Sequence, residues 1–331
     1  MEDPRLRKRN LVMFSGIVVL VAGLFTAMVI GTAHTTFSDL CNVFVNPQNT
    51  ESYRILYHIR IPRVLTCMFA GINLALAGCI LQGVLKNPLA DPGIIGVSAG
   101  AGLAAMIVMI IFPQHTAIVP IVAFIGAMTA TFILFMLAWE NGIQPLKLIL
   151  AGVAVSAFFA GGMTCLMVFF SDKIQGTVNW MAGGFAGASW QHVTMILPYT
   201  VIGLLGTTVG CRYLNALQLG DDVAKSLGTR VETARFLLVS LAALLAASAV
   251  SVAGMLTFVG LIVPHMMRLV VGSDFNYLLP SSAIFGAILL IAADTVARTA
   301  FQPIEVPVGV FMSFIGAPFF LYLLKRGMQK R

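Results

Sequence analysis

Charge is what this sequence has least of. Only 33 of its 331 residues are Asp, Glu, Lys or Arg, about 10 % where a soluble domain carries about a quarter. So few charges cannot clothe a water-soluble protein of this length. Apolar residues make up 59 %, and the excess runs from end to end. This excludes a disordered chain, a nucleic-acid binder and a conventional soluble enzyme, and it leaves an integral membrane protein with many spans. Cysteine is scarce as well. Cys41, Cys67, Cys79, Cys165 and Cys211 show no Cys-x-x-Cys spacing, so they read as small packing residues rather than metal or redox chemistry.

Energy-coupling chemistry is missing too. A phosphate-binding loop needs G-x-x-x-x-G-K-[ST]. The segment Gly220-Asp221-Asp222-Val223-Ala224-Lys225-Ser226 comes nearest but lacks the second glycine. No ATPase, no catalytic residue and no cofactor is therefore expected. His34, His58, His115, His192 and His265 form no ligand-spaced cluster, so no metal site is expected. Mid-span ionisable residues, which mark ion-coupled pumps, are confined to Asp294, with Arg298 one helical turn on. A pair at i, i+4 neutralises itself on one helix face, so Asp294 reads as a structural partner of Arg298.

What is present is a set of long charge-free stretches: 10–38, 64–85, 92–139, 148–171, 174–211, 236–265, 275–293 and 306–324. A helix needs about 20 apolar residues to cross the hydrocarbon. The 92–139 stretch holds two helices, broken at Phe112-Pro113-Gln114-His115. The stretch from 174 begins with a glycine-rich loop, Trp180–Phe185, and then holds one helix. The stretch from 236 holds either one helix and a re-entrant segment or two short helices, parted at Gly254. The first span is expected at about Phe14–Thr32, as a retained helix rather than a signal peptide.

Nine or ten crossings follow, and orientation decides. Basic clusters at 1–12 and 325–331 place both tails in the cytoplasm, which requires an even number. Ten crossings put 15 of the 20 Lys and Arg inside. Arg54, Arg60, Arg63, Lys173 and Arg298 then face outward, against the charge rule. The net charge of +7 is thus mostly a statement about topology.

Three polar clusters stand out. Arg60-Ile61-Pro62-Arg63 precedes the second span. It suits lipid head groups as snorkelling arginines or an acidic partner through forked carboxylate pairs. Leu85–Gly93 forms a proline-fixed turn, followed by a small-residue face around Gly96, Gly100 and Gly102 that suits close helix packing. Residues 212–233 form a loop between two spans. Within it, Leu217–Gly228 reads as a short amphipathic helix, with acids in its first turn, a glycine at each end and an apolar face from Val223, Ala224 and Leu227. Such a helix fits a partner's groove or lies on the membrane.

These strings, in order, resemble the ABC-importer permeases for iron–siderophore, haem and cobalamin uptake (FecCD-like, type II importers). The strings are RIPR at 60–63, NPLADPGIIGVSAGAGL at 87–103, LILAGVAVSAFF at 148–159, WMAGGF at 180–185, LNALQLGDDVAKSLG at 214–228, FVGLIVPHMMR at 258–268, ADTVAR at 293–298 and EVPVGVFMSFIGAPFFLYLL at 305–324. The resemblance implies an all-α polytopic permease domain spanning 1–331, with ten helices, cytoplasmic termini and a functional dimer of identical or paralogous subunits. It implies that Leu219, Gly220, Asp221, Ala224, Leu227 and Gly228 couple to a cytoplasmic ATPase dimer. It implies that Arg60, Arg63 and Arg298 dock glutamates of an extracytoplasmic substrate-binding protein. The fifth and tenth spans, with Met163, Met167, Val308 and Met312, would line the pathway, although a plain core role suits Met163 and Met167 equally. The implied cargo is a ferric siderophore, with haem or cobalamin as the alternative. A lone ion-coupled transporter is the competing class. Charge reversal at Arg60 and Arg63 is expected to weaken docking and spare the fold, and Gly220→Trp to uncouple the ATPase.

Overall fold

The computed structural model describes residues 4–31, 35–45, 50–140, 144–302 and 304–328. His34 and the outermost residues of both basic tails, with Lys330 and Arg331, lie outside the described residues. The chain runs through α1 (Pro4–Val29), α2 (Phe37–Val45), α3 (Glu51–Ile55), α4 (Ile61–Val84), α5 (Val97–Ile111), α6 (Val119–Ala138), α7 (Pro145–Phe169), α8 (Gln175–Ala182), α9 (Trp190–Gln218), α10 (Asp221–Ser226), α11 (Val231–Ala253), α12 (Val259–Val271), α13 (Phe275–Thr299) and α14 (Val308–Met328).

Seven described helices are long and apolar enough to cross a membrane: α1, α4, α6, α7, α9, α11 and α13. Three more, α5, α12 and Val308–Leu321 of α14, are apolar but shorter. The chain is thus an all-helical, multi-pass membrane protein. The expected breaks appear at Phe112, where α5 ends before a tight turn opening at Pro113, and at Gly254, whose φ of +70° ends α11. Three differences are physical. The first helix begins at Pro4, ahead of the expected Phe14, because proline suits a first helical turn and no breaker follows it. The glycine-rich loop opens after Ala182, since Trp180 and Met181 still complete α8. Residues 37–55 hold two short helices that the charge map does not show.

Helix α4 is the hub. It packs against α13, α11, α9 and α12, and it is buried along most of its length. A helix apolar on every side is suited to that place. Glycine sets the approach. A β-carbon on Gly78 would collide with the Gly260 backbone of α12, and one on Gly71 with the Gly286 backbone of α13. Gly100 of α5 meets Gly126 of α6 in the same way, so the small-residue face after Asp91 is a packing seam.

A buried polar bond joins the hub to α11. Asn73 Nδ2 donates to Ser248 Oγ on α11 at 2.9 Å. Ser248→Ala is expected to cost about 1 kcal/mol, the scale of interhelical bonds in membranes. The measurement is the thermal midpoint in detergent, and an unchanged midpoint would show that the bond contributes nothing.

Candidate functional site

Two ends of α4 carry the polar clusters, about 36 Å apart at 1.5 Å per residue over its 24 residues. At its start, Pro62 has no N–H to donate to the His58 carbonyl. The backbone widens there into a π turn over Leu56–Arg60, closed by the Ile61 N–H on the Leu56 carbonyl. Such turns are rare and re-aim side chains. The adjacent Tyr57 carbonyl accepts from Trp190 Nε1 at 2.8 Å.

The turn points Arg60 inward. Arg60 Nη1 donates to the carbonyls of Met28 and Val29 and to Thr35 Oγ1. Arg298 Nη2 donates to the Ala27 carbonyl. These are the last carbonyls of α1, which have no partner within their own helix. Two cations at a helix C-terminus also complement its dipole. Arg63 does different work. Its Nε and Nη2 grip Asp294 through both carboxylate oxygens at 3.0 Å, and its Nη1 reaches Glu305 at 2.9 Å. Arg298 stands 3.9 Å from Asp294.

Two sequence expectations change here. Asp294 is chiefly the partner of Arg63, with Arg298 as a second and looser neighbour, because the forked pair is closer and bidentate. The three arginines expected on the surface are only 4 % (Arg60), 9 % (Arg63) and 5 % (Arg298) exposed. Of the five cations expected to face outward, Arg54 and Lys173 have exposed side chains. Beside the network lies a cavity of about 510 Å³, lined by Arg63, Asp294, Glu305, Asn179, Trp180 and Val308 among others. Arg63 and Asp294 thus combine a structural bond with a wall of this cavity.

At the other end, Gly220 (φ +112°) and Gly228 (φ +80°) bracket α10, conformations that side chains rarely adopt. Ala224 is fully buried, so it packs inward instead of joining the expected apolar face. The exposed apolar residues are Leu219 (63 % exposed) just before α10, Val223 (44 %) within it and Leu227 (63 %) at its end. Asp221 does not join them. Its carboxylate accepts from Arg235 Nη2 at 3.0 Å and from Lys86 Nζ at 3.2 Å, tying α10 to α11 and to the turn after α4.

Burial pushes the Asp221 carboxyl up, but the bonds and charge of Arg235, then Lys86, outweigh it, and its pKa lies below the ordinary 3.8. A depressed carboxyl stabilises the fold above its unfolded pKa, and that contribution fades as pH falls through the folded value. The anchoring is therefore intact at neutral pH and is lost in acid. Asp221→Asn is expected to speed amide exchange over residues 221–228 severalfold at pH 7. Exchange equal to the parent would remove Asp221 from the anchor.

The four pathway candidates fall in two groups. Met163, Val308 and Met312 are buried within the protomer, whereas Met167 is half-buried. Met163 lies over Gly102 with Met255, and Val308 lines the cavity described above. Among the described residues no group of three or more His, Cys, Asp or Glu could hold a metal ion.

The chain is 41 % identical over 278 residues to the Fe(3+)-citrate import system permease protein YfmE of Bacillus subtilis (strain 168), covering 84 % of each protein. It is 37 % identical over 339 residues to the hemin transport system permease protein HmuU of Yersinia pestis, covering 99 % of this chain and 98 % of that one. Among solved structures it matches an inward-facing metal-chelate type ABC transporter with a TM-score of 0.82 and 28 % identity, over 95 % of this chain and 99 % of that one. The competing reading as a lone ion-coupled transporter falls with these matches. The FecCD transport family description spans residues 19–326, and the chain belongs to that family, as a membrane permease and not an enzyme.

Proposed function

We propose that the chain is the permease subunit of an ABC importer that moves a ferric siderophore across the cytoplasmic membrane by alternating access. The observation that carries this is α10: a short helix set rigidly by the Asp221 network, with exposed apolar residues along it. That is the shape of a lever for a partner's groove. The seven long and three shorter apolar helices support ten crossings with both termini cytoplasmic. On this reading an ATPase dimer grips Leu219, Val223 and Leu227, while Gly220 and Gly228 turn the chain into and out of the helix.

The arginine end then faces outward and receives a substrate-binding protein. Arg54 and Lys173 lie on its surface, with Arg60, Arg63 and Arg298 beneath. The second permease subunit, identical or paralogous, packs against α7 and α14. The outer face of α7 offers Ala154, Ala157, Gly161 and Thr164, and a β-carbon on Gly161 would meet nothing within 4 Å. Small residues favour close helix approach, so the pathway would run between the paired faces, with Met167 and Val308 near its walls.

The iron cargo is inferred from the named relatives, and the haem reading from the likeness to HmuU. The test is reconstitution into vesicles. ATP-driven uptake of ferric citrate or a ferric hydroxamate that needs both the ATPase and the binding protein supports the proposal. Uptake of haem alone would favour the second reading, and uptake driven by an ion gradient without the ATPase would refute both.

A further inference from the structure

A second cavity, of about 580 Å³, lies between α9 and α11 beside the loop that carries α10. Its walls are apolar, with Val209, Leu237 and Leu241 among them, and Gly206 and Gly210 line it where α9 packs on Leu241 and Leu238 of α11. Both helices are long and apolar enough to span the membrane, and Val209 and Leu237 are exposed. The groove therefore opens toward lipid, not toward water. Its size suits one ligand chain, since small-molecule sites run to about 300–1,000 Å³.

Charge marks one end of this groove and not the other. Arg230 lines it at the loop end, exposed, next to Thr233 and Gly228. Tyr213 lines it from the α9 side. Arg212 stacks over the Tyr213 ring at 4.6 Å and bonds its hydroxyl through Nη2 at 2.7 Å. Neither Arg212 nor Arg230 has a carboxylate within ion-pair distance among the described residues. An apolar slot ending in Arg230, with Arg212 held on the Tyr213 ring that lines it, is complementary to a molecule with an acyl tail and an anionic head.

We infer that this groove is a binding site for one anionic phospholipid, one of its acyl chains between α9 and α11 and its phosphate on Arg230, with Arg212, beside the lining Tyr213, as the second cation. Arginine suits that role because its fork matches phosphate geometry. The lipid would touch Gly228 and Arg230, the residues through which α10 joins α11. It would thus brace the base of the coupling segment from the membrane side. The inference rests on the chain's place in the membrane and is independent of the cargo.

The experiment is native mass spectrometry of the purified permease titrated with dioleoyl-phosphatidylglycerol or dioleoyl-phosphatidylcholine. The parent is expected to retain phosphatidylglycerol preferentially. Arg212→Ala with Arg230→Ala is expected to lower its affinity about tenfold, the scale of charge-assisted bonds. Arg212→Lys with Arg230→Lys should keep most of it. Leu237→Trp leaves both charges and fills the groove, and it should lower retention as well. Added inorganic phosphate should not compete, because it lacks the tail. Equal retention of the two lipids by the parent, unchanged affinity in the double alanine variant, or full retention in Leu237→Trp would each overturn the site. Failure here would leave ATP-driven uptake untouched as the test of the cargo.

Discussion

Asp294→Ala is expected to cost about 3–5 kcal/mol, the usual result of stripping one partner from a buried ion pair. The reason is the company Asp294 keeps. It is itself buried, Arg63 grips both its oxygens at 3.0 Å, and Arg298 stands 3.9 Å away. Removing the carboxylate leaves two buried guanidinium groups beside each other. Glu305, half-exposed, reaches only one of them directly. The measurement is thermal unfolding in detergent, followed by size-exclusion of the fluorescent fusion. Arg63→Met with Asp294→Leu removes both charges of the main pair. It should be more stable than Asp294→Ala, because apolar replacements of buried pairs are often tolerated. A melting temperature for Asp294→Ala equal to that of the parent would refute this account of the network. By the same logic the double reversal Arg60→Glu with Arg63→Glu is now expected to disturb the fold. It is no clean probe of docking, whereas Arg54→Glu with Lys173→Glu changes exposed groups only.

The second large effect is functional. Leu219→Asp with Leu227→Asp is expected to reduce ATP-driven uptake about a hundredfold or more, with the permease still folded. Burying one leucine contributes about 1.5–3 kcal/mol, and about 1.4 kcal/mol is a factor of ten in affinity. Both residues are 63 % exposed in the free permease, so the protomer itself loses little. Gly220→Trp would be a poorer test. Gly220 has φ +112°, and tryptophan there would strain the backbone before it met any partner. The readouts are co-purification of the ATPase and uptake into vesicles. Full uptake by the double aspartate variant would remove these residues from the coupling contact.

Much of this was legible in the residues. Charge-free stretches located the helices, because a bilayer permits few charges within a span. Pro113 and Gly254 marked breaks for reasons of backbone chemistry, and both are breaks. The short helix showed through its acids and flanking glycines, but it covers Asp221–Ser226 and not the expected Leu217–Gly228, because α9 runs on through Leu217 and Gln218 and Gly220 breaks the chain before α10. What escaped is what depends on neighbours. Ala224 and Val223 are adjacent apolar residues, and only packing tells that one faces in and the other out. Asp294 lies four residues from Arg298 and 231 from Arg63, and local spacing cannot see the nearer partner. The burial of Arg60 was hidden for the same reason, although one signal was present: α1 ends at Val29 without a basic residue in its last turn, so its carbonyls needed donors from elsewhere.

Those donors have a timing. At its beginning α1 is tied by Arg9 Nε to the Val271 carbonyl, and at its end by Arg60 and Arg298 to its last carbonyls. The partners lie 262, 32 and 271 residues away along the chain. During synthesis α1 emerges before any of the segments that fasten it. Arg60 can secure its end once the second long helix is made, but the other two ties wait until nearly the whole chain is out. Helix α1 therefore enters the bilayer early as a loosely held element and is locked late. Truncations that stop before α13 should leave it accessible to cross-linking, and the complete chain should not.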